Sequence, residues 1–273
     1  PFKGTNLRRE LAEQQDAVSK VGWASLFFCN HDQPRVVSRW GDDSTEANRV
    51  ASAKAFALLL HMHRGTPYVY QGEELGMTNA HFTSLDQYRD LEALNAYRQR
   101  VEEAKVQSSE SMMDALALIG RDNARTPMQW DESRFAGFTD EHAPVEPWIG
   151  VNPNHATVNA AKQIDDPNSV YAFYRRLIAL RHDNPVVAAG EWQLIDANDE
   201  YVYAFTRKLN GTTLLTMVNL SGNRVAIPAD SAALVASGVS EPQIVISTHG
   251  ASHAVVSLAN RELSAWEGIV VEL

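Results

Sequence analysis

One cysteine, Cys29, in 273 residues leaves no internal disulfide and no zinc site built on several thiolates. So thiol-poor a chain suits a reducing compartment, and a cytoplasmic location is expected. Basic residues are in deficit: 24 Lys and Arg stand against 34 Asp and Glu, for a net charge of −10. Without a basic cluster, that balance argues against a DNA or RNA backbone as partner and favours a neutral or cationic small ligand. Glycine (15) and proline (11) are too few for a low-complexity chain, so a core of ordinary size can be buried. Long hydrophobic runs are missing too. The longest, Ala55 to Leu60, is far short of the roughly 20 residues a membrane span requires, so no membrane partner is expected. No internal repeat is visible.

What is present alternates in kind along the chain. Leu7, Leu11 and Val18 recur at helical spacing between Thr5 and Lys20, and Gly22 stops the pattern. The apolar run Trp23 to Cys29 is too short for a typical helix and predicts a strand buried on both faces. A buried helix is predicted from Ser44 to His63, with Ser44, Thr45 and Glu46 as cap and first turn. Gly65 ends it, and Thr66 to Tyr70 predicts a second strand. Polar clusters, Asn30 to Arg35 and Gln71 to Glu74, follow the two strands. This is the grammar of a parallel α/β sheet or barrel, whose ligand sites gather at the carboxyl ends of the strands. A long excursion, 76–166, carries helical stretches at Ser84 to Lys105 and Ser108 to Ile119; loops of such length are usually functional. A helix is predicted to start at Asp166-Pro167, with Val170, Phe173, Tyr174, Leu177 and Ile178 on one face and Pro185 closing it. After Val187 the period falls to two, with Asn210-Gly211 as a hairpin turn and further strands at Leu214 to Asn219, Arg224 to Ile227, Gln243 to Ser247, Ala254 to Leu258 and Gly268 to Leu273. The expected division is an α/β domain over 1–186 and an all-β domain over 187–273.

Five ordered blocks resemble the α-amylase family of glycoside hydrolases, in its oligo-1,6-glucosidase and α-glucosidase branch. They are Phe28-Cys-Asn-His-Asp-Gln-Pro-Arg35, the stretch from Gly65 to Asn79, Arg121-Asp-Asn-Ala-Arg-Thr-Pro-Met-Gln-Trp130, Trp148-Ile-Gly-Val-Asn-Pro-Asn154, and the helix with its β tail. The resemblance implies the C-terminal portion of a (β/α)8 TIM barrel, strands seven and eight with the inserted loop 76–166, followed by an antiparallel β-sandwich. It implies retaining hydrolysis of terminal α-linked glucose by a carboxylate nucleophile and a carboxylic acid. Both come from earlier barrel strands, and no block like theirs occurs here. The chain is therefore expected to be inactive alone, with a missing N-terminal barrel half as its partner, and to form a homo-oligomer that covers open sheet edges.

By the same resemblance, Asp32 is the third carboxylate, which grips sugar hydroxyls in the transition state. His31, Arg35 and Arg125 are substrate-binding, and no cofactor or metal is implied. Other readings stand beside these. Arg125 could be a salt bridge pinning the long loop, and Trp40, Trp130 and Trp148 could stack on sugar rings or anchor that loop. Glu73 and Glu74 stay outside the catalytic set, because neighbours at a strand end point apart. His61 and His63 at i and i+2 do not share a helix face, so they are expected as core histidines rather than metal ligands. Cys29 is expected as a small buried residue. The rival functions are a non-catalytic carbohydrate-binding or structural module, and a metal-dependent hydrolase on His31, Asp32 and His81.

Overall fold

A computed structural model describes residues 2–195, 200–227, 242–250, 258 and 261–273. The chain falls into two compact units that interleave along the sequence: 1–27, 44–68 and 173–273 form one, and 28–43 with 69–172 form the other. The expected boundary near residue 187 is a division along the chain, whereas these units group by contact.

In the first unit, helix α1 (Gly4–Ser19) precedes strand β1 (Ser25–Leu26). Helix α2 (Val36–Trp40) belongs to the second unit, and α3 (Glu46–Met62) returns to the first, capped by the Thr45 hydroxyl, which accepts from Asn48 N. Strand β2 (Thr66–Pro67) pairs parallel with β1, Ser25 opposite Thr66. The parallel pair matches the predicted grammar, but the strands are shorter than expected and are not buried on both faces. Ala24, Leu26 and Phe28 are buried, while Trp23, Ser25 and Phe27 are exposed. Successive side chains point to opposite faces of the strand, so burial alternates with the period of two.

Between them lies the second unit. Its helices are α4 (Leu91–Tyr97), α5 (Ser109–Ile119) and α6 (Ala160–Gln163). The predicted helix from Ser84 to Lys105 is broken at Tyr88 to Asp90, because Asp90 turns its carboxylate onto Glu92 N to cap α4. α4 then runs into a π-helical turn at Arg98–Glu103. Helix α7 (Val170–Asp183) starts later than Asp166-Pro167: these residues form a turn, and the Ser169 hydroxyl accepts from Ala172 N at the helix start. Pro185 does not simply end that helix; it opens α8 (Pro185–Ala189), with Asn184 as cap.

The β tail holds a five-stranded antiparallel sheet of β3 (Glu191–Ile195), β4 (Val202–Leu209), β5 (Thr212–Asn219), β7 (Gln243–Ser247) and β9 (Gly268–Glu272), in the order 3-4-5-9-7. β6 (Val225–Ala226) and β8 (Glu262–Leu263) form a separate ribbon. Asn210 and Gly211 take φ of 51° and 91° at the β4–β5 turn, the left-handed pair that a two-residue hairpin needs. One sheet face, with Ala204, Met217 and Ile269 in register, packs with Ile227 and Leu263. The other carries Tyr203, Phe205 and Val270, and the sheet packs against α3 and α8. The predicted run at Ala254–Leu258 lies outside the described residues except for Leu258, which is buried.

The end of α3 is dense with polar contacts. His61 and His63 are buried core residues, as expected, and the Nδ1 atom of each meets the carbonyl four residues earlier, Ala57 and Leu59. A carbonyl only accepts, so each Nδ1 carries the proton and His63 Nε2 accepts from the Tyr203 hydroxyl at 2.8 Å. The carbonyls of His61 and Met62 receive the guanidinium groups of the half-buried Arg181 and the buried Arg207, at 2.7 and 2.8 Å. Gly65 follows at φ +146°, and a Cβ there would stand 2.5 Å from the Ala24 carbonyl.

Burial lowers both histidines to about 4, while an unfolded histidine titrates near 6.5. The unfolded chain therefore takes up protons first as pH falls, and stability present above 6.5 is lost between 6.5 and about 4, by roughly 3 kcal/mol for each residue. The urea midpoint is expected to fall between pH 7 and pH 4.5, and His63→Gln to flatten that dependence.

Candidate active site

The polar cluster after β1 is organised by short-range bonds. Asn30 Oδ1 accepts from Asp32 N at 2.8 Å, which turns the chain and presents both His31 and Asp32 outward. Arg125 reaches this loop from the far end of the excursion. Its Nε donates to the His31 carbonyl and its Nη2 to Asp32 Oδ1, both at 2.8 Å. His31 Nε2 lies 3.2 Å from Asp32 Oδ2. Asp32 thus has a partner on each oxygen and still leaves 45% of its side chain open to solvent.

A second layer fixes the arginines. Asp90 binds Arg121 through two bonds of 2.7 Å, and Arg121 also meets Glu92 at 3.0 Å and Asp32 at 3.6 Å. Those bonds hold the Asp90 carboxyl below its usual range. The buried Asp122 accepts from the backbone N–H groups of Arg89 and Asp90 and stands 3.5 Å from Arg125. A short 3-10 turn, Arg121–Ala124, brings Arg121, Asp122 and Arg125 into this one network.

The structure gathers His31, Asp32 and Arg125 at one place and sets Arg35 inside the fold. Arg35 is 1% exposed, donates to the carbonyls of Gln71 (2.6 Å) and Ala124 (3.1 Å), and lies over the Tyr70 ring. Burial pulls its pKa down. Gly72 permits this packing: a Cβ at its φ of +86° would fall 2.2 Å from Met77 Sδ and 3.2 Å from Arg35 Nη1. Cys29 is buried; its sulfur accepts from Val36 N, and burial pushes the thiol well above its ordinary value. Burial likewise raises Glu74.

Arg121, Asp90 and Asp122 are site residues that reasoning from the sequence did not single out. Arg121 and Arg125, four apart around an acid, were the available signal; Asp90 had none. His81 faces Asp43 at 3.8 Å, and among the described residues no group of three or more His, Cys, Asp or Glu is arranged to hold a metal, against a hydrolase centre on His31, Asp32 and His81. Trp40 stands edge-on to Phe28 as an internal contact, while Trp130 and Trp148 are exposed. No described helix is long and apolar enough to cross a membrane.

Residues 1–190 match the alpha amylase catalytic domain, and the protein belongs to that family of TIM-barrel glycoside hydrolases. The oligo-1,6-glucosidase of Parageobacillus thermoglucosidasius is 46% identical over 221 residues, 81% of this chain and 38% of that protein. That of Bacillus cereus is 40% identical over 275 residues, covering 100% of this chain and 47% of its own length. The trehalulose synthase MutB of Pseudomonas mesoacidophila MX-45 superposes with a TM-score of 0.87 at 36% identity, over 100% of this chain and 47% of that one. The chain spans less than half the length of each of these relatives.

Removing the buried Asp122 carboxylate leaves the Arg89 and Asp90 N–H groups without their acceptor, which costs about 1–3 kcal/mol for each buried group left unpaired. Asp122→Ala is expected to destabilise the fold by that order while Arg125 keeps its bonds to Asp32 and the His31 carbonyl; chemical denaturation measures the first and crystallography of the variant the second.

Proposed function

We propose that this chain is the C-terminal part of an α-glucosidase of the oligo-1,6-glucosidase kind. β1 and β2 act as strands seven and eight of the barrel, 76–166 as the insertion after strand eight, and 187–273 as the β-sandwich domain. The observation that carries this is Asp32, open to solvent just beyond β1 yet held from the side by Arg125 and His31. A carboxylate so fixed can accept hydrogen bonds from sugar hydroxyls without first reorganising, and it grips harder as positive charge grows on the sugar ring. His31 supplies a second polar contact to the same sugar, and Arg125 holds the carboxylate in place. The nucleophile and the general acid come from the barrel half outside these residues, so the chain alone does not turn over substrate.

The test is a chimaera in which residues 1–273 replace the corresponding segment of the Bacillus cereus enzyme, assayed with an aryl α-glucoside. Activity of the chimaera, none from the chain alone, and a loss of roughly 100-fold or more in Asp32→Asn support the proposal. Turnover by the chain alone would place the nucleophile and acid among these residues and overturn it. Calorimetric binding of maltose or isomaltose by the chain alone would instead support a carbohydrate-binding module.

Isolated, the β1–β2 ribbon leaves strand edges unpaired, with Phe27 and Tyr68 exposed by 50% and 57%. We propose that a second copy covers them. Sedimentation at high concentration should show a dimer or larger species, and a clean monomer would refute this.

A further inference from the structure

The excursion holds a cavity of about 420 Å³ that shares Asp90, Glu92 and Arg121 with the network beside Asp32 and extends away from it between α4 and α5. Its floor is apolar, with Ala93 and Ala96 from α4 and Met112, Ala115 and Leu116 from α5. Small side chains face one another here and leave the space open. Met112 and Leu116 belong to an apolar cluster that also holds Phe82, Tyr88 and Ile149. At the mouth stands Arg100, on the π-helical turn that interrupts the end of α4. Such turns recur at functional sites, because the extra residue re-aims a side chain.

Arg100 is held there by its neighbours. The chain doubles back through Lys105 at φ +51°, and Val106 N donates to the Arg100 carbonyl at 2.9 Å. Arg100 Nε donates to Gln107 Oε1 at 2.9 Å, and Gln107 Nε2 in turn donates to Ser111 Oγ at 3.2 Å. One nitrogen of the guanidinium is thereby occupied and the cation oriented, with both terminal nitrogens left to donate. The other cation of the lining, Arg121, is engaged by Asp90 and Glu92.

From this geometry we infer that the α4–α5 cavity binds a small amphiphile with an aromatic or short aliphatic body and an anionic head. The body lies on the alanine floor, and the head takes the two terminal N–H groups of Arg100. The volume falls in the range of small-molecule sites, and a charge-assisted pair at the mouth gives orientation.

The probes are 4-(trifluoromethyl)benzoate and its uncharged counterpart 4-(trifluoromethyl)benzyl alcohol, titrated into the 273-residue chain and followed by fluorine NMR. No sugar and no catalysis are involved, so the outcome is independent of the glucosidase proposal. The carboxylate is expected to bind roughly five- to tenfold more tightly than the alcohol. Arg100→Gln should remove that difference and leave the alcohol unaffected. Ala115→Trp, which fills the floor, should weaken both by more than about tenfold; Ala96→Leu serves if that variant melts early. Equal affinity for the two probes, or binding that survives both cavity-filling variants, would overturn the inference.

Discussion

The last carbonyls of α3 point into protein rather than water, and two guanidinium groups hold them, that of Arg207 buried and that of Arg181 half-buried. Arg207 ties the Met62 carbonyl to that of Gly190 just before β3, and Arg181 of α7 takes those of His61, His63 and Gly65. A helix end removed from solvent must find donors for these oxygens, and cations suit the negative end of the helix dipole. Arginine is the one side chain with enough donors to join three elements at a point. The first unit depends on this junction: β2 begins at Thr66, with three residues between it and the end of α3, and the sheet that packs on α3 contributes Arg207.

The second unit repeats the device at smaller scale. Arg35 bridges the carbonyls of Gln71 and Ala124, and so fixes the chain after β2 to the segment that bears Arg121 and Arg125. The positions of the two arginines beside Asp32 therefore rest on a third that water does not reach. Its charge is buried against carbonyl dipoles, which give direction to the contact, and Glu73 and Glu74 act on it through space.

Much of the fold was legible because local rules and long-range packing agree. The caps at Thr45 and Ser108, the Asn210-Gly211 turn and the alternation through Tyr203 and Phe205 each decide their own structure. Where neighbours decide, the sequence was silent. Nothing periodic shows that Asp90 breaks a helix in order to bind Arg121, or that Phe27 is left uncovered while Phe28 is buried. In the site, Asp32, His31 and Arg125 came from the order of motif blocks, which carries residue identity well. It carries depth poorly: Arg35, three residues beyond Asp32, lies inside the fold because Gly72 makes room for it. Asp122 reads as one more acid in a polar loop, and only burial turns it into an anchor.

The two kinds of strand pairing differ in the length of chain that must close before they form. β4 and β5 meet across a two-residue turn, so their register from Val202–Asn219 to Leu209–Thr212 zips from one end with almost no loop to order. β1 and β2 meet across some forty residues, including all of α3, and gain only short ladders for it. Closure entropy grows with loop length, and contacts distant in sequence are made late. The hairpin is accordingly the natural first structure as the first unit folds, and the parallel pair waits until α3 has a sheet to lie on.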